Sequence, residues 1–102
     1  MGIEVVIEDE QGNRVKSLED PRNILHRVLP QPRDATYSCL NRVDWYGDTT
    51  FNRYQLSDVR SELQRIINAH PGAEEHAFLQ KLSALVNECD KSPHLYLKFY
   101  GD

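Results

Sequence analysis

The chain has 102 residues, a size at which one domain with one hydrophobic core is expected. It carries 12 Lys and Arg against 16 Asp and Glu, a formal net charge of −4, and the two signs are interspersed. Nucleic-acid binding needs clustered cations, so this pattern argues against a nucleic-acid partner and favours a basic protein partner. We predict a single domain over residues 1–102.

The first residues lack the basic start and continuous apolar region of a secretion signal. No apolar run approaches the ~18 residues that a membrane span needs. Cys39 and Cys89 are too few to form the disulfide framework of a small secreted protein. In a reducing compartment they are expected to be free thiols. These features predict a cytoplasmic protein that does not act at a membrane.

Two segments near the ends of the chain alternate apolar and polar residues, which is the period of a half-buried strand. Gly12-Asn13 tolerates a tight reversal and predicts that residues 14–18 return as a short partner strand. The residues predicted to face the core are Ile3, Val5 and Ile7 in the first segment and Leu95, Leu97 and Phe99 in the last.

A short helix is predicted after Asp20-Pro21, where an N-cap residue precedes proline in the first helical position, and Pro30 ends it. Residues 37–45 are rich in aromatic and β-branched residues at their ends. Their apolar positions do not alternate cleanly, so they are interpreted as an inner strand that is covered on both faces.

From Asn52 onward the apolar period becomes that of a helix. Asn52 and Gln55 have the spacing of a capping box. A second helix is predicted over residues 73–90, after the break at Pro71-Gly72. Because the connection is short, the two helices are expected to be antiparallel neighbours.

The element order β-β-α-β-α-α-β predicts an α+β domain with a small, mostly antiparallel sheet of three or four strands and the helical hairpin packed on one face. Tyr46-Gly47-Asp48 is repeated as Tyr100-Gly101-Asp102. Since each triplet follows a predicted strand, residues 45–46 and 99–100 are expected to lie close together at one edge of the domain.

Metal, cofactor and catalytic motifs are not recognised. A calcium loop starting at Asp44 would need glycine where Thr49 stands and a final acid where Gln55 stands. The four histidines lack metal-ligand spacing, and no glycine-rich phosphate loop is present. A nucleophilic triple can be drawn through Cys39 and His94, but Cys39 is interpreted as a small core residue. We predict no metal, no cofactor and no catalytic residue.

An aromatic and acidic cluster surrounds the predicted junction between the third strand and the next helix. Core packing accounts for Trp45 and Phe51, but it accounts less well for tyrosines, whose hydroxyls need a partner or water. A surface rich in tyrosine and rimmed by acids is typical of protein interfaces. The predicted partner-binding residues are Asp44, Tyr46, Asp48, Arg53, Tyr54, Tyr100 and Asp102.

Several short motifs together resemble a small, uncharacterised bacterial protein family. The motifs are Cys39-Leu40, Tyr46-Gly47-Asp48-Thr49, Phe51-Asn52 with Gln55, and the run from His94 to Phe99 followed by Gly101-Asp102. The resemblance covers most of the chain beyond Tyr37. It implies a compact bacterial domain and no particular activity.

Two functions are consistent with the sequence. The first is a small, acidic, non-catalytic interaction protein of the immunity or antitoxin type that binds a basic protein partner. The alternative is a small-molecule-binding or enzymatic domain whose polar groups would be Asp44, Asp48, Arg53 and His94. The protein is expected to be a monomer, or a homodimer formed through an exposed strand edge.

Overall fold

The computed structural model describes residues 3–70 and 72–101, and the strands in those ranges form one antiparallel sheet. The strands are β1 (Glu4–Glu8), β2 (Arg14–Leu18), β3 (Asp48–Phe51) and β4 (Tyr96–Tyr100), and the helices are α1 (Ile24–Val28), α2 (Leu56–Ala69) and α3 (Ala73–Cys89). The strand order β2-β1-β4-β3 places the first and last strands side by side in the middle. The predicted α+β class and element order are confirmed.

β1 and β4 form the centre of the sheet, with Glu4 opposite Tyr100 and Glu8 opposite Tyr96. Their helix-facing side chains are fully buried. Phe51 of β3 meets Phe99 of β4 edge to face, with ring centroids 5.8 Å apart. The core therefore lies between the sheet and the helices. The buried helix-facing residues of the central strands are Val5, Ile7, Leu97 and Phe99.

β2 is an edge strand that follows a tight turn. Gly12 has a φ of 83°, a conformation that glycine adopts without steric cost. The Asp9 carboxylate accepts hydrogen bonds from the backbone N–H groups of Gln11 and Asn13. A bulge interrupts the pairing of β1 with β2 near Glu8, and Val15 in β2 is 57% exposed.

α1 starts later than the sequence predicts, and its N-cap position is occupied by Asn23 and not by the predicted Asp20. Pro21 lies in a turn, and the helix begins at Ile24 after Asn23, whose φ is 54°. The buried Asp20 carboxylate nevertheless accepts hydrogen bonds from the first-turn N–H groups of Ile24 and Leu25, both at 2.8 Å.

The strand predicted over residues 37–45 is wrong. That segment is irregular apart from one 3₁₀ turn at Leu40–Arg42, and the third strand is instead Asp48–Phe51. The physical reason lies outside the segment. The carboxylate of Glu62 in α2 draws three consecutive backbone N–H groups, from Ser38 to Leu40, toward itself and away from any strand partner.

The helical hairpin is confirmed. Asn52 and Gln55 make the reciprocal bonds of the predicted capping box, since each side chain accepts a hydrogen bond from the other residue's backbone N–H, but they lie in the turn before α2, whose N-cap is Gln55. Arg60, early in α2, bonds Asp90 just beyond the end of α3, so the helices run antiparallel. α3 packs on β1, β2 and β4, and α2 packs on α3.

The other face of the sheet is covered by no helix in the described part of the chain. Val6 on this face is nevertheless 0% exposed, and Glu8 is 7% exposed. The Tyr100 hydroxyl donates to Glu8, and the cations of Arg14 and Lys98 lie over the Tyr100 ring. Glu8, Arg14, Lys98 and Tyr100 therefore form one polar network on this face.

Within residues 3–70 and 72–101, no helix has the length and apolar character that crossing a membrane requires.

Candidate partner-binding surface

The loop from Asp44 to Gly47 is held in one conformation by side-chain and backbone hydrogen bonds. The Asp44 carboxylate accepts from the N–H of Tyr46 at 2.9 Å, and the Asp44 N–H donates to the Thr49 hydroxyl at 2.9 Å. The Gly101 N–H donates to the Gly47 carbonyl at 2.7 Å. The loop is therefore fixed both to itself and to the end of β4.

The two Tyr-Gly-Asp triplets meet in space. Asp48 lies opposite Tyr100 in the register of β3 and β4. A Cβ added at Gly101 would lie 2.6 Å from the Asp44 carbonyl oxygen and 2.6 Å from the carbonyl carbon of Trp45. Only a residue without a side chain fits this approach. The loop of residues 44–47 thus lies against Gly101, directly after the residues 99–100 that were predicted to approach it.

Neighbouring aromatic residues in this loop point in opposite directions. Trp45 is half-buried against the core, and its ring meets His26 edge-on with centroids 4.9 Å apart. Tyr46 is 80% exposed. A groove of about 400 Å³ opens beside them. Its lining residues are Pro32, Asn41, Arg42, Val43, Asp44, Trp45 and Tyr46.

Two buried polar atoms near this loop lack partners within the described residues. Asn41 donates through its amide nitrogen to the Asp34 carbonyl at 3.0 Å, but its Oδ1 accepts no hydrogen bond. The Nε2 of His26 is likewise without a partner. Pro32 and Asn41 were not among the predicted binding residues, because Pro32 belongs to a loop-like stretch and Asn41 to the predicted strand over residues 37–45.

Among the predicted binding residues, Asp44, Tyr46, Asp48 and Tyr100 lie at one end of β3. Asp44 and Asp48 are exposed. Tyr100 is half-buried, and its hydrogen bond to Glu8, together with burial, raises the pKa of its hydroxyl. Its hydroxyl is thus already engaged on the uncovered face of the sheet.

Arg53 and Tyr54 lie beyond the opposite end of β3, where the Arg53 guanidinium stands over the Tyr54 ring, 5.7 Å from its centroid. Tyr54 is 82% exposed. Asp102 lies outside the described residues. The structure therefore brings together four of the seven predicted residues and separates two from them.

The residues of the alternative polar site are also separated. His94 precedes β4, and its Nδ1 lies 3.1 Å from the Glu10 carboxylate near the β1–β2 turn. That turn is at the end of the sheet opposite to Asp48, because Glu8 pairs with Tyr96 and Asp48 pairs with Tyr100. Asp44 and Asp48 therefore do not share a pocket with His94.

The thiols are buried. Desolvation raises the pKa of the Cys39 thiol and raises that of the Cys89 thiol to about 11, so both are protonated at neutral pH and poor nucleophiles. Both cysteines are free. Across the two described ranges, no three His, Cys, Asp or Glu side chains are grouped as metal ligands.

No protein-family model matches the chain, and no curated protein or solved structure matches it either.

Proposed function

We propose that this chain is a non-catalytic interaction protein of the immunity or antitoxin type, which binds a basic protein partner through the loop that carries Tyr46. The contact surface would consist of Asp44, Trp45, Tyr46 and Asp48, here named the Tyr46 surface. The observation that carries the proposal is the 80% exposure of Tyr46 on a loop that is otherwise fixed by hydrogen bonds.

The fold does not require a tyrosine at position 46. Its neighbour Trp45 supplies the loop's contact with the core, and the turn is made by the Asp44 carboxylate and the Gly47 carbonyl. A tyrosine side chain offers a large amphipathic contact area at a low cost in conformational entropy. Holding its backbone in place before binding lowers that cost further.

The charge of the surface favours a cationic partner. Asp44 and Asp48 flank Tyr46 and are both exposed, and the chain as a whole carries a net charge of −4. Carboxylates at the rim of a contact mainly accelerate association with a basic surface and do so less at high salt. Arg42 also lines the groove, so the complementary surface is expected to be basic but not uniformly so.

The remaining parts of the proposal follow from the sequence. We infer a cytoplasmic protein that binds no nucleic acid and is a monomer or a homodimer in solution, and the family resemblance supports a bacterial source. Light scattering on the purified protein distinguishes the two oligomeric states.

The proposal is tested by affinity capture from the native host with four immobilised proteins. These are the unmodified chain, Tyr46→Ala, Asp48→Lys and Tyr54→Ala. Tyr54 is a matched control because it is as exposed as Tyr46 but lies at the other end of β3. Thermal melting of each variant establishes that it is folded before capture.

We expect the unmodified chain and Tyr54→Ala to retain the same basic protein, whereas Tyr46→Ala and Asp48→Lys lose it. Removing a tyrosine at the centre of an interface typically costs about 2 kcal/mol or more of binding free energy. Equal retention by all four proteins, or loss only with Tyr54→Ala, would rule out the Tyr46 surface.

A further inference from the structure

The opposite edge of the sheet carries a second feature, a groove between β2 and α3. Two adjoining depressions of about 240 Å³ and about 270 Å³ share Leu18 and Lys81 in their walls. In the first depression one wall is the edge strand β2, and in the second it is the segment after β2, where Glu19 and Asp20 lie. The other wall is the line of Ala77, Lys81 and Ala84 on α3, all of which are exposed. We name this feature the β2–α3 groove.

The outer edge of β2 has backbone groups directed away from the sheet. In an antiparallel ladder, successive residues direct their N–H and C=O alternately to the two sides. The Gly101 N–H points to β3, where it bonds Gly47. The backbone groups of Tyr100 therefore point to β1, where Tyr100 pairs with Glu4, and those of Val5 point to β2. Because Val5 pairs with Leu18, the backbone groups of Leu18 point to β1 and those of Ser17 point away from the sheet.

The side chains on either side of Ser17 contribute charged and apolar atoms to the groove. Lys16 and Leu18 lie opposite Ile7 and Val5, whose side chains are in the core, so both face the helical layer. The first depression is lined by Lys16 and Lys81 as its charged groups and by apolar atoms of Leu18, Ala84 and Leu85. It therefore presents two cations above a small apolar floor.

We propose that the β2–α3 groove binds an extended acidic segment of a partner protein, which adds to β2 as a fifth antiparallel strand. Its central residue would exchange two backbone hydrogen bonds with Ser17. The residue before it would place an apolar side chain near Leu18 and Ala84. The residue after it would place a carboxylate between Lys16 and Lys81.

Charge selects this occupant over a second copy of the chain. β2 contains Arg14 and Lys16 but no acidic residue. A second copy that paired antiparallel through its own Ser17 would set its Leu18 opposite Lys16, so its β2 would bring no carboxylate to the lysines. An acidic segment would instead place a carboxylate beside Lys16 and Lys81, which line the same depression.

The probe is the blocked peptide acetyl-Thr-Val-Thr-Glu-Thr-amide, in which valine and glutamate have the required order for antiparallel addition. It is titrated to millimolar concentration into the ¹⁵N-labelled chain, and amide chemical shifts are followed by NMR. We expect changes at residues 16–18 and 81–85. The same peptide with valine and glutamate exchanged, and the same peptide N-methylated at the central threonine, should bind at least about tenfold more weakly.

Two variants separate the groove from general charge attraction. Lys81→Glu should weaken binding of the peptide by roughly tenfold or more, because it puts like charges together. Lys91→Glu makes the same charge reversal at an exposed site beyond α3 and should change affinity by no more than about twofold.

Absence of shift changes, shifts confined to other residues, or equal effects of the two lysine variants would each overturn the proposal. A dimer in light scattering whose Ser17 amide is protected from hydrogen exchange would overturn it as well, since a second copy would then occupy the edge. These outcomes do not depend on the Tyr46 surface, which lies at the β3 side of the sheet.

Discussion

Glu62 shows how one carboxylate shapes a segment distant in sequence. It is 6% exposed and accepts hydrogen bonds from the Ser38 hydroxyl and from the N–H groups of Ser38, Cys39 and Leu40. Burial alone would raise the pKa of the Glu62 carboxyl, but these hydrogen bonds outweigh burial and lower it. The ionised form is therefore the one that stabilises the fold.

Replacing this carboxylate should be costly. We expect Glu62→Gln to lower the free energy of unfolding by about 2–4 kcal/mol, since an amide cannot accept from all of these donors and brings an N–H of its own. Urea unfolding at pH 7 measures the change. The matched control is Glu88→Gln, which breaks only a partly exposed ion pair with Lys91 and should cost less than about 1 kcal/mol.

The stability that Glu62 contributes should depend on pH with a definite sign. Because the folded-state pKa lies below the ordinary value of 4.5, the contribution is complete above that value and is lost as pH falls through the lowered pKa. The difference in the free energy of unfolding between the unmodified chain and Glu62→Gln should thus stay constant from pH 7 to about pH 5 and become smaller in stronger acid. A difference in unfolding free energy that grew in acid would contradict the lowered pKa of Glu62.

At the scale of elements, the end of β4 and the Asp44–Gly47 loop depend on each other through Gly101. We expect Gly101→Ala to destabilise the protein by about 1–3 kcal/mol, since its Cβ would meet the backbone of residues 44, 45 and 47, which cannot rotate away. Gly47→Ala is the milder comparison, because the nearest atoms there belong to the Asp44 side chain. Thermal melting of both variants tests this order, and a less stable Gly47→Ala would refute it.

Elements with a strong apolar period were predictable, and the third strand was not. β1, β4, α2 and α3 have several inward residues each, so their period is visible in the sequence. β3 is a four-residue edge strand with one buried side chain, Phe51, which leaves no period to read. The apolar residues of segment 37–45 do belong to the core, but they reach it from a loop that Glu62 organises.

The candidate surfaces were predictable only in part, because they depend on where β3 and α3 lie in the fold. Tyr46 was predicted at the surface because its hydroxyl needs a partner or water, and the repeated Tyr-Gly-Asp triplet predicted that its loop approaches the end of β4. The separation of Arg53 from Asp44 could not be foreseen while the strand was placed before residue 46 instead of after it. The β2–α3 groove depends on where α3 lies beside β2, which no local pattern encodes.

At the scale of the whole molecule, the sheet depends on its last strand. Deletion of residues 95–102 removes β4, the strand between β1 and β3, and with it the fully buried Leu97 and Phe99. We expect the shortened chain to show no cooperative thermal transition in circular dichroism. Adding a synthetic peptide of residues 95–102 should restore the transition, which separates loss of the strand from general insolubility. A shortened chain that melts cooperatively on its own would refute the prediction.

The pairing of β1 with β4 also sets an order for events during synthesis. While the chain is still emerging from the ribosome, β1 and β2 can form only a two-stranded hairpin, which is marginally stable alone in water. The helices can form and pair in the meantime, since their contacts are local. The ladder of β1 with β4 closes only after residues 96–100 have left the exit tunnel, so this backbone edge of β1 stays unpaired until then and is open to aggregation.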